Sequence, residues 1–216
     1  MKQRLLTAAS DRLLDAALAY YESKEYIEPF SSKEIADCVI HHAAACGVSA
    51  MVVAAPSVGG IGSIIAAGVA AGAIWAMYIK ICKLIGATFS KNKLKAIAAA
   101  VLTNVATQLA GVFAINFVST LIPNAGIMIN GIGNFAICYV AGLIFLYVLT
   151  ELFKVKRLDA ENMTIEEWKE HIKDAFTVLD KKAVIKEAKG IFNDMKKDGS
   201  LDEMGKDVNI NPEEDD

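Results

Sequence analysis

The sequence predicts an all-α helical membrane protein with two apolar helical hairpins and cytoplasmic amphipathic helices. The first observation behind this prediction is the distribution of charge: the 216 residues carry a formal net charge of −3, yet residues 43–150 contain five lysines and no carboxylate. The second is the stretch from Ala96 to Thr150, which runs for 55 residues without any charge. Water-soluble folds need charged residues on their exposed faces, so this half of the chain is suited to lipid.

Four segments follow from the same distribution. Residues 1–42 carry 5 basic and 7 acidic side chains, and residues 151–216 carry 12 and 18. We predict N-terminal cytoplasmic helices over 1–42, a membrane-embedded helical domain over 43–150 and C-terminal amphipathic helices over 151–200. The last segment, 201–216, is predicted to be a disordered acidic tail, because it cannot bury enough apolar surface to fold.

Two helices are predicted before the apolar half. From Gln3 to about Tyr26 the apolar residues recur at helical spacing, which indicates an amphipathic helix. Pro29 ends this region. Ser31, followed three residues later by Glu34, is a capping-box signature for a second helix that runs into the apolar half.

The uncharged sequence predicts two helical hairpins, over 43–79 and 96–150. The first is broken by a turn around Pro56, and its first arm has only 13 uncharged residues, short of the roughly 20 that a perpendicular span requires. The second has arms of 27 and 24 uncharged residues on either side of a turn at Pro123 and Gly126. Four membrane passes are the simplest interpretation, and a re-entrant first hairpin with one full hairpin is the alternative.

The lysines predict the orientation of these hairpins. Five lysines lie between residues 80 and 95, and three basic residues follow the second hairpin over 154–157, whereas the two Pro/Gly turns carry no charge. Basic loops stay on the cytoplasmic side of a membrane. We therefore expect a multi-pass protein with both termini in the cytoplasm.

Small residues indicate where the membrane helices pack. Gly60, Gly68, Gly72 and Ala76 fall on one face of a helix, and Gly68 with Gly72 forms a GxxxG pair that permits close backbone approach. The first interpretation is packing within one subunit. A dimerisation or gating seam in a homo-oligomer is the alternative.

Polar side chains form a strip on each arm of the second hairpin. Amides are costly in hydrocarbon, so we expect the two strips to face each other or to face water. Hydrogen bonding between the helices is the first interpretation and a lined pathway the second, because no ionisable residue accompanies the amides. The strips comprise Asn104 and Gln108 on the first arm, and Asn130 and Asn134 on the second.

Beyond the apolar half, the sequence predicts two more amphipathic helices. Thr164 and Glu167 form a second capping box, and apolar residues then recur at three- and four-residue steps. A further amphipathic run lies between Val184 and Met195. These helices could pack on each other, on the N-terminal helix or on a partner. The residues predicted to face a partner are Trp168, Ile172, Phe176 and Leu179.

The sequence carries no convincing catalytic, cofactor or metal motif. Cys38, His42 and Cys46 share one helix face, but a single straight helix can direct only two of them at one metal, so we interpret them as core residues. Residues 194–205 partly match the spacing of a calcium-binding loop, but they lack two of the carboxylates that such a loop needs. A turn that ends a helix is therefore favoured over a calcium site. No phosphate-binding loop is present, and the basic residues are too thinly spread for nucleic acid. We predict a protein that is not an enzyme and needs no cofactor.

A set of Pro, Gly and apolar positions runs through the apolar half: Gly47, Ala54, Ala55 and Pro56; Met77, Ile81, Ile85 and Gly86; Leu121, Ile122, Pro123 and Gly126; and Asn130, Tyr139 and Gly142. Over about residues 35–150 this pattern resembles the YcjF-type family of bacterial inner-membrane proteins. The resemblance implies a helical domain in the bacterial inner membrane, without assigned catalytic residues and often associated with Era-like or dynamin-like GTPases.

Two functions follow from these features. The first is a non-enzymatic integral membrane protein, held in lipid, whose cytoplasmic helices recruit or regulate a soluble protein partner such as a GTPase. The alternative is a pore former in which the hairpin over 96–150 inserts into a target bilayer, in the manner of colicin-like toxins. In that case the two polar strips would line the opening.

Overall fold

The computed structural model of the chain is all-α, as the sequence predicts. The structure describes residues 3–21, 30–54, 61–117, 125–155 and 163–206, and this part of the chain forms eight helices and no strand. In chain order the helices are α1 (Arg4–Tyr21), α2 (Ser32–Ala54), α3 (Ile61–Leu84), α4 (Lys91–Phe117), α5 (Ala125–Lys154), α6 (Ile165–Val178), α7 (Lys181–Asp198) and α8 (Ser200–Lys206).

Both predicted capping boxes are confirmed. Before α2, the Ser31 N–H donates to Glu34 Oε2 at 2.8 Å, and the Glu34 N–H donates to Ser31 Oγ at 3.2 Å. Before α6, the Thr164 N–H donates to Glu167 Oε2 at 2.7 Å, and the Glu167 N–H donates to Thr164 Oγ1 at 3.2 Å. Each box satisfies N–H groups that a helix start would otherwise leave without a partner.

Helix α5 lies at the centre of the fold. It contacts α1, α2, α3, α4, α6 and α7, and within residues 135–153 every side chain except Ile137, Tyr147 and Glu151 is buried. A helix that is apolar on all sides over this stretch is enclosed on all sides, because each exposed apolar side chain would cost about 1.5–3 kcal/mol relative to its burial.

The apolar helices α2, α3 and α5 pack closely on one another. Helices α2 and α5 are antiparallel, and a Cβ atom on Gly142 would lie 2.6 Å from Val39 Cγ1, so the two backbones approach closely there. From α3, the Tyr78 ring stacks on Phe145 with centroids 3.8 Å apart, and its hydroxyl donates to the Ala141 carbonyl at 3.0 Å. These contacts make α2, α3 and α5 the core of the protein.

Helices α1, α6, α7 and α8 surround this core, and we call them the helical shell. Each buries one apolar face and leaves its charged face exposed. α1 packs on α2 and α5, α6 on α4 and α5, α7 on α5, and α8 on α2. The shell contains most of the charged residues of the described chain, so it separates the core from water.

The predicted disordered tail over 201–216 is wrong for its first residues. Residues 201–206 belong to α8, where Leu201 is buried and Gly205 lies against Val48 of α2. Gly199 ends α7 with φ +83°, a left-handed conformation that favours glycine, so the turn predicted at this position is present. Residues 207–216 lie outside the described residues.

The predicted segment boundaries fall inside continuous helices. The boundary after residue 42 lies within α2 and the boundary after residue 150 lies within α5. The lysine loop is also shorter than expected, because residues 80–84 extend α3 and residues 91–95 begin α4. A helix continues across a change in composition wherever its next turn still has a surface to pack against.

The predicted Pro/Gly turns are only partly described. Pro56 and Pro123 lie outside the described residues. Gly126 does not form the turn predicted for it, because α5 already begins at Ala125 and Gly126 lies in the first turn of that helix.

Two described helices are long and apolar enough to cross a membrane, over Ser32–Val52 and Asn130–Lys154. In their most apolar 18-residue windows, 67% and 72% of the residues are buried inside the protein. The core helix of a soluble protein has the same length and composition. The other predicted arms, over 61–79 and 96–122, lie partly outside the residues whose side chains the structure describes.

Candidate membrane-insertion unit and its buried clasp

The candidate functional site is the interface where the shell covers α5. Near the C-terminal end of α5, the rings of Tyr20 and Tyr21 on α1 lie 5.6 and 5.8 Å from the ring of Phe153. Nearer the other end, the ring of Phe192 on α7 lies 5.5 Å from Phe135. The shell therefore covers α5 over most of its predicted membrane-crossing length.

Phe192 occupies a gap between two glycines. A Cβ atom on Gly47 of α2 would lie 3.0 Å from the Phe192 ring, and one on Gly131 of α5 would lie 3.1 Å from it. The ring fits because neither position carries a side chain. Helix α7 is thereby fixed against both α2 and α5 by one aromatic residue.

A single carboxylate lies in the middle of the same interface. Glu187 on α7 is only 7% exposed. Its Oε1 accepts a hydrogen bond from the Tyr139 hydroxyl on α5 at 2.7 Å, and from the backbone N–H groups of Leu5 at 3.0 Å and Leu6 at 3.4 Å. Its Oε2 also accepts from the Leu5 N–H, at 3.2 Å. We call Glu187, Tyr139 and these two N–H groups the Glu187 clasp, because they join α1, α5 and α7.

The clasp is built from complementary partners. The first N–H groups of a helix have no partner within the helix and carry a partial positive charge, which favours a carboxylate at that end. Among the described residues, the hydrogen-bond donors to Glu187 are all neutral. A buried charge without such partners would be strongly destabilising. The position of Glu187 therefore depends on α1 and α5 both being in place.

The sequence patterns did not single out Glu187, although they contained a signal for it. Val184, Ala188 and Ile191 define the buried stripe of α7, and Glu187 falls on that stripe. A lone carboxylate on an apolar stripe indicates a buried polar contact. The identity of its partners, on α1 and α5, depends on contacts between residues far apart in the chain.

The residues predicted to face a partner lie against the protein's own core. Trp168, Ile172 and Phe176 are buried and Leu179 is half-buried. Trp168 lies 5.8 Å from Phe89 by ring centroids, and α6 as a whole packs on α4 and α5. We expected α6 to pack on another amphipathic helix or on a partner, and it covers the apolar helices instead. Contact with a partner stays a prediction that requires this face to become free.

The two predicted polar strips do not hydrogen-bond to each other in the described part of the chain. The Asn104 amide donates to the Ala100 carbonyl at 2.9 Å, and the Asn134 amide donates to the Asn130 carbonyl at 3.0 Å. Side chains that reach a carbonyl one turn back satisfy their donor within their own helix. The Gln108 side chain lies outside the described residues.

The small-residue face of α3 is described only at one end. Ala76 is buried and Gly72 is half-buried, and α3 packs on α2, α4 and α5. The surroundings of Gly68 are not described, and Gly60 lies outside the described residues. Elsewhere, the close contacts at glycines involve positions that were not predicted for packing, namely Gly47, Gly131, Gly142 and Gly205.

The cysteine and histidine cluster is part of the core of α2. His42 is 3% exposed, and its Nδ1 lies 2.7 Å from the Cys38 carbonyl oxygen and 3.7 Å from the Cys38 Sγ. Cys46 is a free, buried thiol. Within the described residues there is no group of three or more His, Cys, Asp or Glu side chains that could hold a metal ion.

The geometry of this unit is that of an apolar helix covered by amphipathic helices. Its polar centre, the Glu187 clasp, uses the hydrogen bonds of its carboxylate to hold helices together. Comparison with known proteins found no family model, curated protein or solved structure that matches this chain.

Proposed function

We propose that the protein is a non-enzymatic membrane protein whose apolar hairpins enter a lipid bilayer and whose shell helices then recruit a cytoplasmic protein partner. The observation that carries this proposal is the enclosure of α5 by amphipathic helices that each present one apolar face to the core. Lipid can replace the shell around α5. The apolar faces of the shell are then free for a partner.

The apolar helices have the dimensions and chemistry that a bilayer requires. Helix α5 has 30 residues, about 45 Å at 1.5 Å per residue, which exceeds the roughly 30 Å hydrocarbon core. The polar side chains of Thr103, Asn104, Thr107, Asn134 and Thr150 donate to carbonyls of their own helices. These donors therefore stay satisfied when the surrounding protein is exchanged for lipid.

Full insertion requires the shell to leave α5. The outer faces of α1 and α7 carry exposed charges such as Asp11, Asp15 and Lys189, and charged side chains cost about 2.5–3.5 kcal/mol each at the bilayer centre. With the shell attached, these charges would be carried into hydrocarbon. We therefore propose a multi-pass inserted form in the bacterial inner membrane, with the lysine-rich ends and the shell on the cytoplasmic side.

The α6 face is the proposed partner surface. Its buried residues Trp168, Ile172 and Phe176 become available once α6 leaves α4 and α5. Within the described residues, the Trp168 indole N–H is buried and has no protein hydrogen-bond partner. The resemblance to the YcjF-type family favours a GTPase as the partner.

Vesicle flotation with two matched valine variants tests membrane entry. Val52, at the end of α2 before the predicted turn of the first hairpin, is 66% exposed, and Val178, at the end of shell helix α6, is 64% exposed. We expect Val52→Asp to lower binding to phosphatidylcholine/phosphatidylglycerol vesicles at least about tenfold, because an aspartate there must be desolvated. Val178→Asp should leave binding nearly unchanged. Equal binding by both variants and the wild type would contradict entry through the hairpins.

A cross-linker at position 168 tests recruitment. In cells, a photoreactive residue in place of Trp168 should trap a cytoplasmic protein in the membrane fraction, and the same residue at exposed Glu170 is the control. If position 168 captures nothing that position 170 does not, the α6 face has no partner.

A pore is the second candidate function. It is favoured by the exposure of Thr103, Thr107 and Asn130, which lie on the surface of the hairpin instead of packing inside it. Several inserted copies could turn these polar residues toward a shared lumen. Conductance across planar bilayers that changes with Asn134→Leu would support the pore, and silent bilayers would leave the recruitment function.

A further inference from the structure

We propose that the Glu187 clasp is a latch that holds α1 and α7 on α5 and so controls entry of α5 into the bilayer. This inference rests on the proposed function, and it assigns the step at which the shell is released.

The clasp lies where a latch would have the greatest effect. Tyr139 is close to the middle of the membrane-crossing candidate Asn130–Lys154, and its hydroxyl is held by Glu187 at 2.7 Å. The same carboxylate holds the first turn of α1 through the Leu5 and Leu6 N–H groups. Loss of this one carboxylate therefore loosens two shell helices from α5 at once.

Next to a bilayer, polar groups determine whether the shell stays closed over α5. In water, α5 cannot be uncovered, because its buried apolar side chains would each lose about 1.5–3 kcal/mol. Next to a bilayer, lipid offers α5 an equally apolar environment, and the released amphipathic shell helices can place their apolar faces in the bilayer interface until a partner binds them. The hydrophobic term then no longer separates the closed and open forms strongly. The hydrogen bonds that exist only in the closed form then decide between them.

The groups of the clasp respond differently to opening. Glu187 and the N–H groups of α1 regain water, which compensates for their lost hydrogen bonds. The Tyr139 hydroxyl stays on α5 and loses its acceptor. Removing this hydroxyl from Tyr139 therefore weakens the closed form and removes a polar group from the inserted form, so both effects favour insertion.

Tyr139→Phe tests the latch, with Tyr78→Phe as its matched control. Both hydroxyls are buried, and each donates one hydrogen bond that involves α5. Tyr139 on α5 donates to Glu187 across the shell interface, and Tyr78 on α3 donates to the Ala141 carbonyl of α5 within the core. We expect Tyr139→Phe to raise the association of the full chain with phosphatidylcholine/phosphatidylglycerol vesicles about tenfold, since one lost hydrogen bond of this type is worth about that much. Tyr78→Phe should change it less than about twofold.

Glu187→Gln supplies a second variant on the other side of the contact. It should raise vesicle association at least as much as Tyr139→Phe, and the double variant should show little additional effect because both changes break one unit. Asp194→Asn, on the exposed face of the same helix, controls for the change in net charge. Equal association for Tyr139→Phe, Tyr78→Phe and wild type would overturn the latch while leaving membrane entry intact.

A disulfide between the shell and the core provides a reversible version of the test. A Cβ atom on Gly205 would lie 3.2 Å from the Val48 Cβ, close to the roughly 3.5–4.5 Å of disulfides. In the Glu187→Gln background, Val48→Cys with Gly205→Cys should suppress the gain in vesicle association when oxidised and restore it on reduction. A gain that persists in the oxidised protein would overturn release of α7 and α8 as the controlled step.

Hydrogen exchange without lipid distinguishes the latch from general destabilisation. In Tyr139→Phe and Glu187→Gln, the amides of α1 should exchange about tenfold faster while those of α3 are unchanged. Tyr78→Phe should give no selective change in α1. If no protein in the series, wild type included, binds vesicles, the proposed function and the latch both fail; unequal α1 exchange would then show only a structural role for the clasp.

Discussion

The two apolar helices α4 and α5 satisfy their polar groups in a different way from the shell helices. In α4 and α5, the side chains of Thr103, Asn104, Thr107, Asn134 and Thr150 donate to carbonyls of their own helices. At the shell interface, the described hydrogen-bond partners of the Glu187 carboxylate all lie on two other helices. A group that is satisfied locally moves with its helix into any solvent, whereas one that is satisfied across an interface loses its partner on separation. Helices α4 and α5 are therefore able to exchange protein for lipid, and the shell interface opposes that exchange.

The largest expected effect comes from removing the aromatic contact that joins the two regions. Phe192→Ala deletes the ring that fills the gap between Gly47 and Gly131, and we expect it to lower the free energy of unfolding by about 3–5 kcal/mol. Urea unfolding followed by circular dichroism measures the change. Phe192→Leu keeps most of the apolar volume and should cost less than half as much. If the two variants unfold alike, the ring makes no specific contact with the core.

A smaller effect is expected inside the core. Gly142→Ala places a Cβ atom 2.6 Å from Val39 Cγ1, and overpacking of this kind costs about 1–3 kcal/mol. Combining it with Val39→Ala makes room for the new methyl group and should recover part of that loss, by the same urea measurement. Simple addition of the two single losses would show that α2 and α5 do not meet at this point.

The comparison also explains which features were predictable from the sequence. Features that depend on residues a few positions apart were predicted. They are the all-α fold class, the two capping boxes at Ser31 and Thr164, and the turn at Gly199. The tertiary placement of α6 was not predicted, because an amphipathic stripe specifies that a face is buried but not what covers it.

The Glu187 clasp shows the same limit at a single residue. Its position on the buried stripe of α7 could be read from the sequence, but its partners, Tyr139 and the start of α1, are separated from it by 48 and about 180 residues. The sequence predicts disorder at the acidic start of α8, because the burial of Leu201 depends on α2, which lies far away in the chain.

The smallest expected effect concerns the junction between α7 and α8. The Ser200 hydroxyl donates to Asp198 Oδ1 at 2.6 Å and the Ser200 N–H donates to it at 3.0 Å, and these two bonds hold the pKa of Asp198 below its usual value. Because the folded-state pKa is the lower one, the junction is stabilised at pH values above the ordinary Asp range and loses this contribution as the pH falls through the folded-state pKa.

Ser200→Ala removes the hydroxyl and leaves the backbone N–H, so the pKa of Asp198 should rise part of the way toward its usual value of about 3.9. An NMR titration of the Asp198 carboxyl measures this rise directly, and Ser200→Thr, which keeps a hydroxyl at the same position, should preserve the low pKa. Because Asp198 is exposed, we expect little change in global stability. An unchanged titration in Ser200→Ala would show that the Ser200 backbone N–H alone lowers the pKa of Asp198, and that the hydroxyl contributes nothing to the junction between α7 and α8.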